Sequence, residues 1–122
     1  IEQLLGCPQG EEAALLQAPP SAGTARPLTR GDLSWQISVP DEGSLPFGGA
    51  FPTLLQWAEG THHPSERLPD SGCRLALLEI SHPAADVIKA MISLDDDRVD
   101  LTKGAFAMQA TFETPHGMRI LS

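Results

Sequence analysis

Glu79 is the carboxylate whose setting most invites chemistry. It interrupts an apolar, strand-like run, "CRLALLEIS" (73–81), between Leu78 and Ile80. A carboxylate there either faces solvent or enters a cavity, where desolvation raises its pKa toward that of a general base. Glu79 is therefore the candidate catalytic residue. Three glutamines, Gln36, Gln56 and Gln109, occupy other strand-like stretches, and an amide both donates and accepts hydrogen bonds. Trp35 and Trp57 adjoin two of them, and with Phe47 they offer surface on which a flat ligand can stack. The candidate ligand-binding set is Gln36, Gln56, Trp35, Trp57 and Gln109.

The remaining reactive types carry less. His62 and His63 precede Pro64, and adjacent histidines seldom present both rings to one ion, so a solvated loop or turn cap accounts for them. His82, before Pro83, reads as a cap at a helix entrance, and His116 as part of the turn "TPHG". Cys7 and Cys73 fall in no metal-binding spacing; a reducing, cytoplasmic setting is the simplest account, with a single disulfide left open. Neither a Gly-rich phosphate loop nor a nucleophile elbow occurs.

The chain of 122 residues, 41% apolar, is long enough for one domain with a core. Its formal charge of -8 leaves no basic stripe to neutralise phosphates, which argues against nucleic acid and anionic membranes as partners. No run approaches the ~18 apolar residues of a membrane span. A small-molecule ligand is the expected partner. The start at Ile1, directly in an apolar-periodic stretch, suggests a fragment or a processed product.

Several elements must position these residues. A helix is expected over roughly 11 to 18, ended by Pro19, Pro20 and Gly23. From Leu33 to Val39, Leu33, Trp35, Ile37 and Val39 alternate with Ser34, Gln36 and Ser38, the pattern of a half-buried strand. The Gly- and Pro-rich "PDEGSLPFGGAFP" then leads to the strand "TLLQWA", and is either a wandering surface loop or, being longer than a tight hairpin needs, a lid or rim. "HHPSERLPDSG" (62–72) has a linker's composition. Beyond "CRLALLEIS", the stretch "HPAADVIKAMISL" carries Pro83 at its first helical position and Val87, Ile88, Met91 and Leu94 at helical spacing. "DDD" (95–97) suits a turn. "RVDLTKG", "AFAMQATFE" and "GMRILS" are three further strands.

One phrase recurs. "LTRGDLSWQIS" (28–38) is echoed by "LTKGAFAMQAT" (101–111) at a constant offset of 73, so that Gln36 answers to Gln109. The second half reads strand, helix, strand, strand, strand; the first reads helix, strand, strand, strand. The expected fold is α+β, two tandem βαβββ units of which the first lacks its opening strand in this chain. Residues 1–61 form the incomplete first unit, 62–72 the linker, and 73–122 the second unit.

Two such units in tandem resemble the vicinal oxygen chelate superfamily of glyoxalases, bleomycin-resistance proteins and extradiol dioxygenases. "RGDLSWQISVPDEGSLPFGGAFPTLLQW", with "LPDSGCRLALLEISHPAA" and "TPHGMRIL", is similar to the bacterial glyoxalase-like domain family, over about residues 24–122. The resemblance implies that each sheet has one face covered by its helix and the other curled around a cavity. The faces Leu33/Trp35/Ile37 and Phe106/Met108/Phe112 would then pack on helices, and Ser34, Gln36, Ser38, Gln109, Thr111 and Glu113 would look into the concave side or solvent, or, with the facing inverted, the large residues would line a hydrophobic pocket.

Metal-using relatives take His, Gln or Glu ligands from the first and last strands of each unit, to hold two adjacent substrate oxygens. Here those positions fall on about Leu75, on Leu121 or Ser122, and on or beside Gln56. Gln56 alone fits, so the resemblance names a metal ligand without completing a site, and the cofactor stays undetermined. As an enzyme the protein would be a lyase, isomerase or dioxygenase. The alternatives are a non-catalytic sequestering protein of the bleomycin-resistance type, or a degenerate module serving dimerisation. A homodimer or a preceding segment of chain would supply the missing strand.

Overall fold

The computed structural model describes residues 18–92 and 95–122; the expected helix at 11 to 18, Cys7 and Leu94 lie outside the described residues, save Ala18 at the helix end. The fold is α+β, with two sheets and little helix. A 3-10 turn, Pro20–Ala22, leads into β1 (Thr24–Arg30), β2 (Leu33–Val39) and β3 (Leu55–Trp57), which form an antiparallel sheet in the order β1-β2-β3. A one-turn helix, α1 (Pro64–Arg67), lies within the linker-like stretch. Then come β4 (Arg74–Ser81), α2 (Ala85–Met91), β5 (Val99–Thr102), β6 (Ala107–Thr114) and β7 (Gly117–Leu121). The second sheet has the order β5-β4-β6-β7, and the succession strand, helix, strand, strand, strand is the expected one.

Local sequence explains most of the joints. β1 and β2 are closed by a two-residue turn, Gly31–Asp32, between the paired Arg30 and Leu33, and Gly31 takes the left-handed φ of 63° that a Cβ would resist. Parallel pairing of β4 with β5 requires a crossover, which α2 supplies. The helix begins later than Pro83 suggests: His82 Nδ1 accepts the Ala84 amide proton at 3.0 Å, and the turn so made places Pro83 ahead of the first helical residue. Of the three aspartates at 95–97, Asp96 turns back to Arg98, as a turn position allows.

The echo of sequence is not an echo of pairing. Leu28 to Arg30 in β1 pair directly with β2, whereas β5 and β6 flank β4 on opposite edges and never meet.

The described core contains Ala22, Ala50, Phe51 and Leu54 from the first half and Ala85, Ile88 and Leu101 from the second. Ile88 is completely buried, and Ile80, Met91 and Ile92 pack around the cluster. Removing such a side chain from water contributes about 1.5–3 kcal/mol. α2 thus covers the face of the second sheet that carries Ile80 and Leu101, which are cross-strand partners. That face continues to Met108, the partner of Ile80 on β6, which is exposed, as is Val87 on the outer side of α2.

In the first sheet the orientation departs from expectation. Ser38, on the face assigned to the concave side or solvent, is buried beside the core residue Leu54, while Trp35 and Ile37 on the other face are only half-buried. The polar residue goes inward without penalty because its groups are satisfied: Ser38 N donates to Leu54 O at 2.9 Å, and Leu54 N donates to Ser38 Oγ at 3.0 Å.

Candidate functional site

Alternation on β2 and a three-residue pairing with β3 bring the two tryptophans together. Trp35 and Trp57 are directly opposite in the antiparallel register, and Leu28 of β1 is opposite Trp35 on its other side. Cross-strand partners share a face, so Leu28, Trp35 and Trp57 form one row across the sheet. The indole centroids are 5.3 Å apart with the rings tilted by 53°. This is the tilted geometry that the aromatic quadrupole favours over a flush sandwich.

His63 extends the row. Its ring meets Trp57 edge-on, centroids 5.3 Å apart and planes at 81°. The orientation is set from α1, whose N-terminus His63 caps: its Nδ1 accepts from Ser65 N at 3.2 Å and lies 2.6 Å from Ser65 Oγ. Among the alternatives for this histidine the turn cap is the one found, and the contact with Trp57 is an addition that sequence spacing did not indicate.

A second tie holds α1 against the sheet. Both guanidinium nitrogens of Arg67 reach the Asp32 carboxylate in the β1–β2 turn, one of them at 3.1 Å to Oδ1. The hydrogen bonds from Arg67 hold the Asp32 carboxyl below its ordinary pKa, and Asp32 in turn raises that of Arg67. Both groups are exposed, so the pair orients the helix more than it stabilises the fold. His62, one residue before the cap, lies 3.6 Å from Glu66.

Gln36 and Gln56 are cross-strand partners too, one step along the strands and hence on the opposite face from the tryptophans. The five candidate ligand-binding residues are therefore not one constellation. Two amides stand on one side of the first sheet and two indoles on the other, with Gln109 in the second sheet.

Gln56 was the residue on which the resemblance placed a metal ligand. Its register neighbour Gln36 adds a second neutral amide, and no group of three or more His, Cys, Asp or Glu side chains converges among the described residues. Such a donor set does not fit a divalent ion, which takes at least three convergent ligands.

Glu79 stands on the face of the second sheet away from α2, and it is exposed. Gln109, its partner on β6, donates from Nε2 to Glu79 Oε2 at 3.2 Å, and Asp100 is its partner on β5. The arrangement is a polar row, Asp100–Glu79–Gln109, with the carboxylate oriented by an amide.

Phe47 belongs to neither group. It takes a left-handed φ of 52° between Pro46 and Gly48, and its ring meets His82 edge-on at 5.7 Å. Phe106 meets His82 at 5.8 Å, so the imidazole is held between two phenyl rings from the two halves of the chain. The first residues of the Gly- and Pro-rich loop, Pro40, Asp41, Glu42 and Ser44, line an open cleft of about 310 Å³ together with Pro20 and Ser21. Its walls carry no aromatic ring.

Among the described residues no helix is long and apolar enough to cross a membrane. Cys73 is an exposed, free thiol.

Comparison with known proteins places this architecture. No curated protein and no solved structure matches the chain. A family model described as a glyoxalase-like domain matches residues 9–94, which takes in the whole first sheet, the row of tryptophans and the strand and helix around Glu79. With well over half of its length covered by that match, the chain belongs to the glyoxalase-like domain family.

Proposed function

We propose that this glyoxalase-like domain binds a small organic molecule, and that the face bearing Trp35 and Trp57 is where it does so. One observation carries the reading: two half-buried indoles in contact at 5.3 Å, extended by the edge of His63 and by Leu28, make a continuous apolar and aromatic surface. Buried rings need no ligand, and isolated exposed ones offer too little area; a row that is packed on one side and open on the other does both jobs. The cleft at Pro40 to Ser44 lacks such surface and serves the reading less well.

The chain has two tryptophans, so its indole N–H resonances report on this site alone. A panel of small aromatic and alicyclic compounds, titrated while those two signals are followed, is expected to include compounds that shift both saturably. A panel that moves neither signal sinks the reading.

A catalytic reading is favoured by a separate feature, the hydrogen bond that orients Glu79 through Gln109. In this reading Glu79 is a general base for a proton on a bound substrate. Glu79→Gln would then abolish turnover while leaving indole-detected binding intact, and unchanged turnover would dismiss the role.

A further inference from the structure

We infer that the ligand of the tryptophan face is a planar aromatic acid, its ring laid on Trp35 and Trp57 and its carboxylate held by Arg26 or Arg30. The inference rests on the reading of that face as the binding surface and adds the chemistry of what it selects.

The register of β1 supplies the argument. Arg26 is opposite Ile37, Leu28 opposite Trp35, and Arg30 opposite Leu33, so both arginines share the face of the tryptophan row. Each stands two residues from Leu28, about 7 Å along the strand to either side. A flat ligand laid along the row therefore has a guanidinium on either side of its Leu28 end.

These two guanidinium groups are also uncommitted. Arg67, Arg74 and Arg98 are each closed on an aspartate, at Asp32, Asp70 and Asp96, and Arg119 donates to the Met118 carbonyl. Neither Arg26 nor Arg30 has an ion-pair or hydrogen-bond partner among the described residues. The nearest carboxylate in sequence, Asp32, is taken by Arg67, which leaves the charge of Arg30 uncompensated.

In a chain of net charge -8, two unpaired cations on one face of one strand are a local reversal of sign. Apolar anions are drawn to such a place, and apolar cations are not. Guanidinium matches a carboxylate with two parallel hydrogen bonds, and the indoles accept the ring behind it.

Three naphthalene probes of equal size test this on the full chain: 2-naphthoate, 2-naphthalenemethanol and 2-naphthylmethylammonium. Binding is read from the two indole N–H resonances at low ionic strength. The expected result is that naphthoate binds about tenfold tighter than the alcohol, the worth of one charged hydrogen-bonded contact, and that the ammonium binds weakest. The double substitution Arg26→Gln with Arg30→Gln is expected to bring naphthoate down to the alcohol's affinity. The alcohol's own affinity should not change, which reports that the variant is folded with its aromatic row intact.

Equal affinity for the three probes, or naphthoate binding unaffected by the double substitution, overturns the inference and leaves the binding face standing. No shift with any probe overturns both.

Discussion

Ser38 and Leu54, sixteen residues apart, exchange a pair of hydrogen bonds at the buried end of the first sheet: backbone to backbone in one direction, and Leu54 amide to Ser38 hydroxyl in the other. At 4% exposure the serine is a buried polar residue on the inward face, and its oxygen is what satisfies the Leu54 N–H. Ser38→Ala removes the acceptor and strands that amide away from water. The expected loss is about 1–3 kcal/mol, measured as a lower urea midpoint with an unchanged slope.

Ile88 is the fully buried side chain of α2 and touches the part of the core shared by both halves. Ile88→Ala is expected to cost about 2–5 kcal/mol, the upper end applying where the surroundings cannot collapse into the void. Val87→Ala, one residue away but exposed, should change stability by less than about 0.5 kcal/mol. Thermal melts of the two variants side by side make the comparison; equal losses would contradict the facing of the helix.

Gly23 has a left-handed φ of 83° and lies so close to β2 that a Cβ there would stand 1.8 Å from the Val39 carbonyl oxygen. Backbone cannot swing aside as a side chain would. Gly23→Ala is therefore expected to cost at least the sum of a strained backbone and an overpacked contact, roughly 2–6 kcal/mol. Gly31→Ala, with a similar φ but open space around it, should cost only the backbone part, about 1 kcal/mol. Denaturant titration of both variants separates the two causes.

Acid should weaken the fold in a defined window. The Arg98 guanidinium holds the Asp96 carboxyl down to about 2, from an ordinary 3.8, and Arg67 and Arg74 likewise lower Asp32 and Asp70. A depressed carboxyl pKa stabilises the folded state above the unfolded value, and that contribution is lost as the pH falls through the folded one. Thermal stability is thus expected to decline between pH 3.8 and about 2. The Asp32 and Asp70 pairs are exposed, so added salt should shrink their share of the decline, whereas the Asp96 carboxylate, its side chain 8% exposed, is screened less. Arg98→Ala should remove part of it, and a pH profile identical to that of the unsubstituted chain would show that the Asp96 pair contributes nothing.

Strand alternation was legible wherever one face of a sheet is covered. The runs at 33–39, 73–81 and 105–113 coincide, within two residues at an end, with the strands at Leu33–Val39, Arg74–Ser81 and Ala107–Thr114, and the helix at Ala85–Met91 sits inside the stretch whose apolar spacing announced it. Which face turns inward was not legible in the first sheet. The apolar set Leu33, Trp35, Ile37 and Val39 outweighs a serine in any pattern of hydropathy, yet Ser38 is buried, because a neighbouring loop brings Leu54 N within reach of its hydroxyl. No local pattern encodes a partner sixteen residues away.

The candidate site was legible in its residue types and not in its grouping. Trp35 and Trp57 meet, as do Glu79 and Gln109, but Gln36 and Gln56 lie across the sheet from the indoles because one step along a strand reverses the face. Spacing in the sequence assigned Arg26 no role, and Arg30 only its place in the repeated phrase at 28–38. Their significance comes from the register with β2 and from the pairing of Arg67, Arg74 and Arg98 with aspartates of their own. The similar phrases at 28–38 and 101–111 end in different pairings, because β4 takes the place between β5 and β6 that nothing occupies between β1 and β2.

Phe51 and Leu54 close on Ile88 and Leu101, and Phe47 and Phe106 grip the same imidazole from opposite halves. Among the described residues, the two halves share one core. A protease that nicked the stretch between α1 and β4 would leave the two pieces clasped, whereas each piece made by itself would have an inner surface with nothing to rest against. Mixed in one tube, they should find one another and regain the shape that neither can hold alone.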